Sequence, residues 1–465
     1  MTRADPRLLG EDMTAHLARL DRGGLGCVEL LEQQLAAIAA SQPTLNAYLA
    51  IDESGARLAA ADSDARRKAG RARPLEGVPI AIKDNLDVAG MVTTAGMATR
   101  RDGADADADS TAVARLREAG AVIIGKLNMH EAALGADNNN PHFGACHNPQ
   151  RPGFTPGGSS GGSGAAVAAG LCSAALGTDS MGSVRIPASY CGVVGLKPSW
   201  GAISTRGSVA LSHRLDHVGP LARSARDLRR LLPVLAGFDA ASAQSRAIAM
   251  LPASTGPLRM GVVDFGETVQ YADDVGTEFA HALEVLLDLG HRRVDLAGPA
   301  FAPGQSRRAG LLLCEAELLV EHRHDWQHQR EHFSPLLAKL MSYAEGRSAV
   351  DLVDASRLLD QAQVQLQQWL AACDVLVTPT TPQRAFDFAD AVPANQADLT
   401  GYANFAGNPA LSVPMPVAEG ELPLGLQMIG RIGDELRLIA LAEAFQHATR
   451  WSPQVPAACQ SWWLS

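Results

Sequence analysis

The densest run of small and hydroxyl-bearing residues lies between Pro156 and Pro187, PGGSSGGSGAAVAAGLCSAALGTDSMGSVRIP. Its glycines invite a nucleotide reading, which the spacing does not support. A phosphate-binding loop needs Lys and then Ser or Thr after its last glycine, but Gly164 is followed by Ala165 and Ala166. A dinucleotide fingerprint also fails, because Val167 stands where the third glycine belongs. What remains is a loop in which backbone N–H groups and serine hydroxyls can approach a reacting carbonyl. Acyl transfer needs a nucleophile, a proton acceptor and donors facing the developing oxyanion. No histidine falls within the segment. A lysine can replace it where burial lowers its pKa, and Lys83 closes the apolar run Val78-Pro79-Ile80-Ala81-Ile82.

Longer motifs then make a family resemblance specific. GGSSGGS (157–163), GTDSMGSVRIPA (177–188) and GVVGLKP (192–198) resemble the signature of the amidase family, and GVPIAIKDNLDVAG (77–90) resembles the strand and loop that present its lysine. ADSTAVARLREAGAVIIGKLNM (108–129), FGACHNP (143–149) and PLGLQMIG (423–430) fit the same order. The resemblance implies a Ser183–Ser159–Lys83 triad, with Ser183 as nucleophile, Ser159 as bridge and Lys83 as base. It further implies an oxyanion hole across Ser180, Met181, Gly182 and Ser183, and a cis peptide bond at Ser159. Ala133 and Gly135, with Ser159, match substrate-binding positions, and Asp179 and Arg185 match residues that brace the loop as an ion pair.

The family usually carries glycine where this chain has Met181. Methionine disfavours positive φ and adds a flexible thioether beside the loop. The implied activity is hydrolysis of a small or medium amide through a Ser183 acyl-enzyme. Alternatives within the family are a urea-type hydrolase, acting on allophanate- or carboxybiuret-like compounds, and the glutamine-hydrolysing component of an amidotransferase that acts on charged tRNA. Against the last, Ile186 occupies a position commonly filled by Gln.

The elements that must position these residues alternate between strand and helix, which argues for an α/β fold. Helical spacing runs over 28–41, 54–70, 111–119, 165–170, 275–289 and 433–448, and through a long polar stretch at about 305–370. Strands are expected at 78–83, 121–125, 172–176, 260–263, 374–378, 410–414 and 424–429. The resemblance implies a large mixed β-sheet sandwiched between layers of α-helices. No clean linker divides the chain, although 236–257 is polar enough for a surface crossing. One domain over 1–465 is therefore expected: a signature core at about 75–225, a variable second half at about 236–400, and C-terminal strands and helix at 401–465.

Composition narrows the remaining classes. The 465 residues are 46% hydrophobic and 19% charged, with a formal net charge of −10. That balance and the lack of a basic tract exclude a nucleic-acid binder. Without a run of about 18 apolar residues, no membrane span is expected. Seven scattered cysteines with no CxxC pair suggest reduced thiols and a cytoplasmic setting. The run Ala104–Ser110 lacks the glycine and terminal Glu of a calcium loop and reads as solvated. His324, His328 and His332 are spaced for one helix face, but their charged surroundings read as solvent-facing surface, so no metal and no cofactor is expected. The expected partner is a small-molecule amide. The paired Trp462 and Trp463 suggest a contact between copies of the chain, hence a possible homodimer.

Overall fold

The computed structural model describes residues 4–253 and 256–464. Its strands are β1 (Tyr48–Ile51), β2 (Pro79–Lys83), β3 (Val122–Leu127), β4 (Ala174–Asp179), β5 (Val194–Lys197), β6 (His217–Ala222), β7 (Arg259–Val263), β8 (Arg292–Leu296), β9 (Val375–Pro379), β10 (Ala410–Pro414) and β11 (Gly425–Ile429). They form one 11-stranded sheet in the order β1-β3-β2-β4-β6-β5-β10-β11-β9-β7-β8. β2 runs parallel to both β3 and β4, while β6 returns antiparallel to β4. The sheet is therefore mixed, as expected.

Period-two alternation places core on both of its faces. On β9, Val375 and Val377 join one buried cluster and Leu376 joins another. On β7, Met260 and Val262 are divided from Val263 in the same way. Helices cover these clusters, which completes a helix–sheet–helix sandwich. Every residue of β2 is buried. A strand buried on both faces reads as a continuous apolar run, which is why sequence locates β2 to within a residue.

The expected helix at 28–41 extends over Cys27–Leu45, and 433–448 becomes Glu435–Ala448. The stretch at 305–370 resolves into Pro303–Glu321, Arg323–His328, Pro335–Glu345 and Ala349–Ala372. Gln329 leaves helical geometry at φ −142°, ψ 34°, which stops the second of these after His328. His332 therefore lies outside the helix that carries His324 and His328, and the expected shared face does not form. Among the described residues, no group of three His, Cys, Asp or Glu is arranged to hold a metal ion.

Trp463 also differs from expectation. It is buried in the chain's own core, with its indole N–H donating to Ser41 Oγ at 2.9 Å. That ring packs inside the molecule rather than against a second copy. All seven cysteines are free and buried. Among the described residues, no helix is long and apolar enough to cross a membrane.

Candidate active site

The site forms where adjacent parallel strands end. Lys83 is the last residue of β2, and Thr178 and Asp179 close β4 beside it. The carboxyl ends of parallel strands are the usual place for ligand chemistry in α/β sheets. The glycine-rich segment meets these strand ends, with Ser160 Oγ donating to Thr178 O at 3.1 Å, and turns at Ser159 and Ser160 into the helix Gly161–Ala168. The Gly158–Ser159 peptide bond is cis, as the resemblance implied.

Lys83 is fully buried, and its Nζ donates to Ser159 Oγ at 2.7 Å and to Thr178 Oγ1 at 2.8 Å. Burial pushes its pKa down to about 7, against the upward pull of the Asp216 and Asp179 carboxylates. An amine titrating there is half neutral at physiological pH, and the neutral form can accept a proton. Lys126, equally buried, is instead ion-paired with Asp84 at 3.0 Å. Sequence reasoning missed Thr178, although it lies inside the GTDS motif.

Ser183 follows on the loop after β4. Its backbone carbonyl accepts from the Ser160 N–H at 3.3 Å, which sets the two serine-bearing loops side by side. Asp179 holds the loop that carries Ser183. Its Oδ1 accepts from the Gly182 N–H at 2.7 Å and its Oδ2 from the Val184 N–H at 3.2 Å. Arg185 grips the same carboxylate through Nε and Nη2, both at 3.0 Å. Burial alone would raise the Asp179 pKa, but the Arg185 guanidinium more than offsets it and holds the carboxyl below its usual range. Arg185 also donates to Thr400 O, Gln427 Oε1 and Asn404 Oδ1, at 2.8, 2.6 and 2.6 Å. Thr400 and Asn404 come from a distant segment that carries no local motif, and Gln427, although inside the PLGLQMIG motif, is not marked there as a partner of Arg185.

Gly182 has φ +137°, and a Cβ there would lie 2.4 Å from Thr400 Oγ1, so only glycine fits. Met181 keeps an ordinary negative φ, so its side chain does not oppose the loop's backbone path. Its carbonyl accepts from Thr400 Oγ1 at 2.5 Å. The Gly182 N–H already serves Asp179, whereas no hydrogen bond from the Met181 or Ser183 N–H is present among the described residues.

A cavity of about 320 Å³ opens onto this loop. Ala133, Gly135, Ser180, Met181 and Ser183 line it. Lys83, Ser159 and Gly182 lie outside that lining. Ala132 and Ala133 both adopt left-handed backbone, with φ 51° and 59°. For residues bearing a Cβ this conformation is costly, and such strain gathers where a site needs a particular geometry.

The sequence profile of the Amidase family matches residues 29–439. The A subunit of the glutamyl-tRNA(Gln) amidotransferase from Roseiflexus castenholzii is 37% identical over 472 residues, covering 94% of this chain and 95% of that protein. Among solved structures, a peptide amidase from Stenotrophomonas maltophilia is 30% identical with a TM-score of 0.82, over 96% of this chain and 98% of its own. A 6-aminohexanoate cyclic dimer hydrolase is 27% identical with a TM-score of 0.86, over 97% and 99%.

Proposed function

The chain belongs to the amidase family, hydrolases of amide C–N bonds, and from that premise we propose that Lys83, Ser159 and Ser183 are its catalytic residues. One observation carries the reading: a fully buried lysine whose side-chain hydrogen bonds go to hydroxyls, Ser159 and Thr178, beside a cavity lined by Ser183.

Neutral Lys83 Nζ accepts the Ser159 hydroxyl proton while Ser159 Oγ takes that of Ser183. Ser183 Oγ bonds to the amide carbon, and the carbonyl oxygen becomes an oxyanion. Asp179 occupies the Gly182 N–H, which leaves the Ser180, Met181 and Ser183 N–H groups as oxyanion donors. Each such donor is worth about 10²–10³ in rate. As the C–N bond breaks, the proton passes back through Ser159 to the leaving nitrogen. Water then attacks the ester, its proton follows the same route to Lys83, and Ser183 Oγ recovers a proton on release. No cofactor enters this sequence of steps, and a cytoplasmic setting with reduced thiols accords with it.

A second reading, a glutamine-hydrolysing component with a protein partner, is favoured by the 37% identity to an amidotransferase component. Both readings share the nucleophile. The test is labelling by a serine-directed fluorophosphonate together with ammonia release from a panel of amides. Wild type should be labelled and active, and Ser183→Ala should lose both. Undiminished labelling of Ser183→Ala would refute the assignment. Release from glutamine alone would favour the second reading.

A further inference from the structure

The cavity beside Ser183 has four polar side chains in its lining: Ser180, Ser183, Arg307 and Gln396. Three of them already have partners. Ser180 Oγ donates to Asp216 Oδ1 at 2.5 Å. Arg307 Nε donates to Asp398 Oδ1 at 2.6 Å in an ion pair, and only 20% of the Arg307 side chain is exposed. Gln396 donates to Pro393 O at 3.2 Å and accepts from the Tyr190 hydroxyl at 3.2 Å. The remaining lining is apolar side chains and glycine, and Leu336 and Val392 extend that character outward as exposed apolar residues at the cavity. A substrate ammonium would meet no free carboxylate in this lining, and a substrate carboxylate would have to compete with Asp398 for Arg307; burying either charge unpaired is costly.

Met181 lines the cavity and is backed by Gly310. A Cβ on Gly310 would lie 2.8 Å from Met181 Sδ and 2.9 Å from the Phe405 ring. The missing side chain on the helix Pro303–Glu321 is therefore the room into which the Met181 thioether packs. Methionine on the loop and glycine on the helix fit as a pair.

We propose that the acyl group of the substrate is uncharged and hydrophobic, of medium length, and that Met181 sets how far it reaches. The proposal rests on Ser183 being the nucleophile. The acyl group stays bound to Ser183 through both half-reactions, while the amine departs and water enters, so the retaining cavity is assigned to the acyl side. At about 30 Å³ per water-sized group, 320 Å³ holds on the order of ten heavy atoms.

The experiment is ammonia release from straight-chain primary amides, acetamide through dodecanamide, alongside glutamine and malonamate, for wild type and Met181→Ala. Ammonia as the common leaving group isolates the acyl contribution. kcat/KM should rise roughly fourfold per added CH₂, reach a maximum at medium chain length, and exceed the values for glutamine and malonamate by on the order of 10²-fold. Met181→Ala should move the maximum to longer chains. A flat chain-length series, a preference for a charged amide, or an unmoved maximum in Met181→Ala would overturn the proposal. Fluorophosphonate labelling run in parallel separates the two readings. With labelling intact, a flat series sinks the acyl assignment alone; without labelling, the nucleophile falls and this inference with it.

Discussion

Lys83, Lys126 and Lys197 are all fully buried, and their chemistry differs by their neighbours. Lys126 faces a carboxylate and Lys197 donates to the Pro198 carbonyl, whereas Lys83 faces two hydroxyls. Replacing Lys83 by Met should lower kcat by about 10²–10⁴-fold while the circular dichroism spectrum stays native. The pH profile tests the base more closely. Lys83 accepts a proton only when neutral, and its pKa lies at about 7, so activity should climb as pH rises through that value. Asp216, itself raised to about 6 by burial, is ionised above that pH and pulls the lysine pKa upward. Asp216→Asn removes the pull, so the acid limb of its profile should move to lower pH. A limb that stays put or moves up would contradict the coupling. None of the three lysines announces its partner in the chain. The apolar run before Lys83 made its burial legible and the longer motif singled it out, but a partner 76 residues away could not be read from either.

At the level of elements, the loop after β4 works because Asp179 ties its N–H groups and Arg185 ties Asp179 to two other segments. Arg185→Met would leave the Asp179 carboxylate buried without its cation. Loss of one partner of a buried pair costs about 3–5 kcal/mol. The midpoint of denaturant unfolding should fall accordingly, and a shift typical of a surface site would show the brace to be dispensable. Strands were legible where apolar runs were continuous, as in β2, β9 and β10. β1, β5, β6 and β8 escaped. β5 and β6 contain glycine or proline and β8 is half charged, so their pairing is imposed by neighbouring strands rather than by local pattern. The same limit applies to the site. Ser159, Ser183 and the loop 180–183 lie within one stretch of sequence, so their proximity could be read from it. The Thr400–Asn404 segment and Gln427 reach Arg185 through tertiary folding alone.

On the scale of the whole molecule, β5 joins the first half of the chain to β10 of the last quarter, so one sheet spans both. We propose that the chain unfolds as one cooperative unit, consistent with the expected single domain. That unfolding carries a proton with it. In the folded protein Lys83 titrates at about 7, while in the unfolded chain it returns to about 10.4. Between those values the unfolded chain binds one more proton, so Lys83 makes stability rise with pH across this window and exacts its full cost below pH 7. Thermal unfolding of Lys83→Met should therefore give a higher Tm than wild type at pH 7, with the gap closing towards pH 10. A gap that is absent or constant with pH would deny the linkage. A buried lysine of lowered pKa, the base proposed above, is then a built-in instability, and the surrounding pH sets both how much of it is neutral and how firmly the whole chain stays folded.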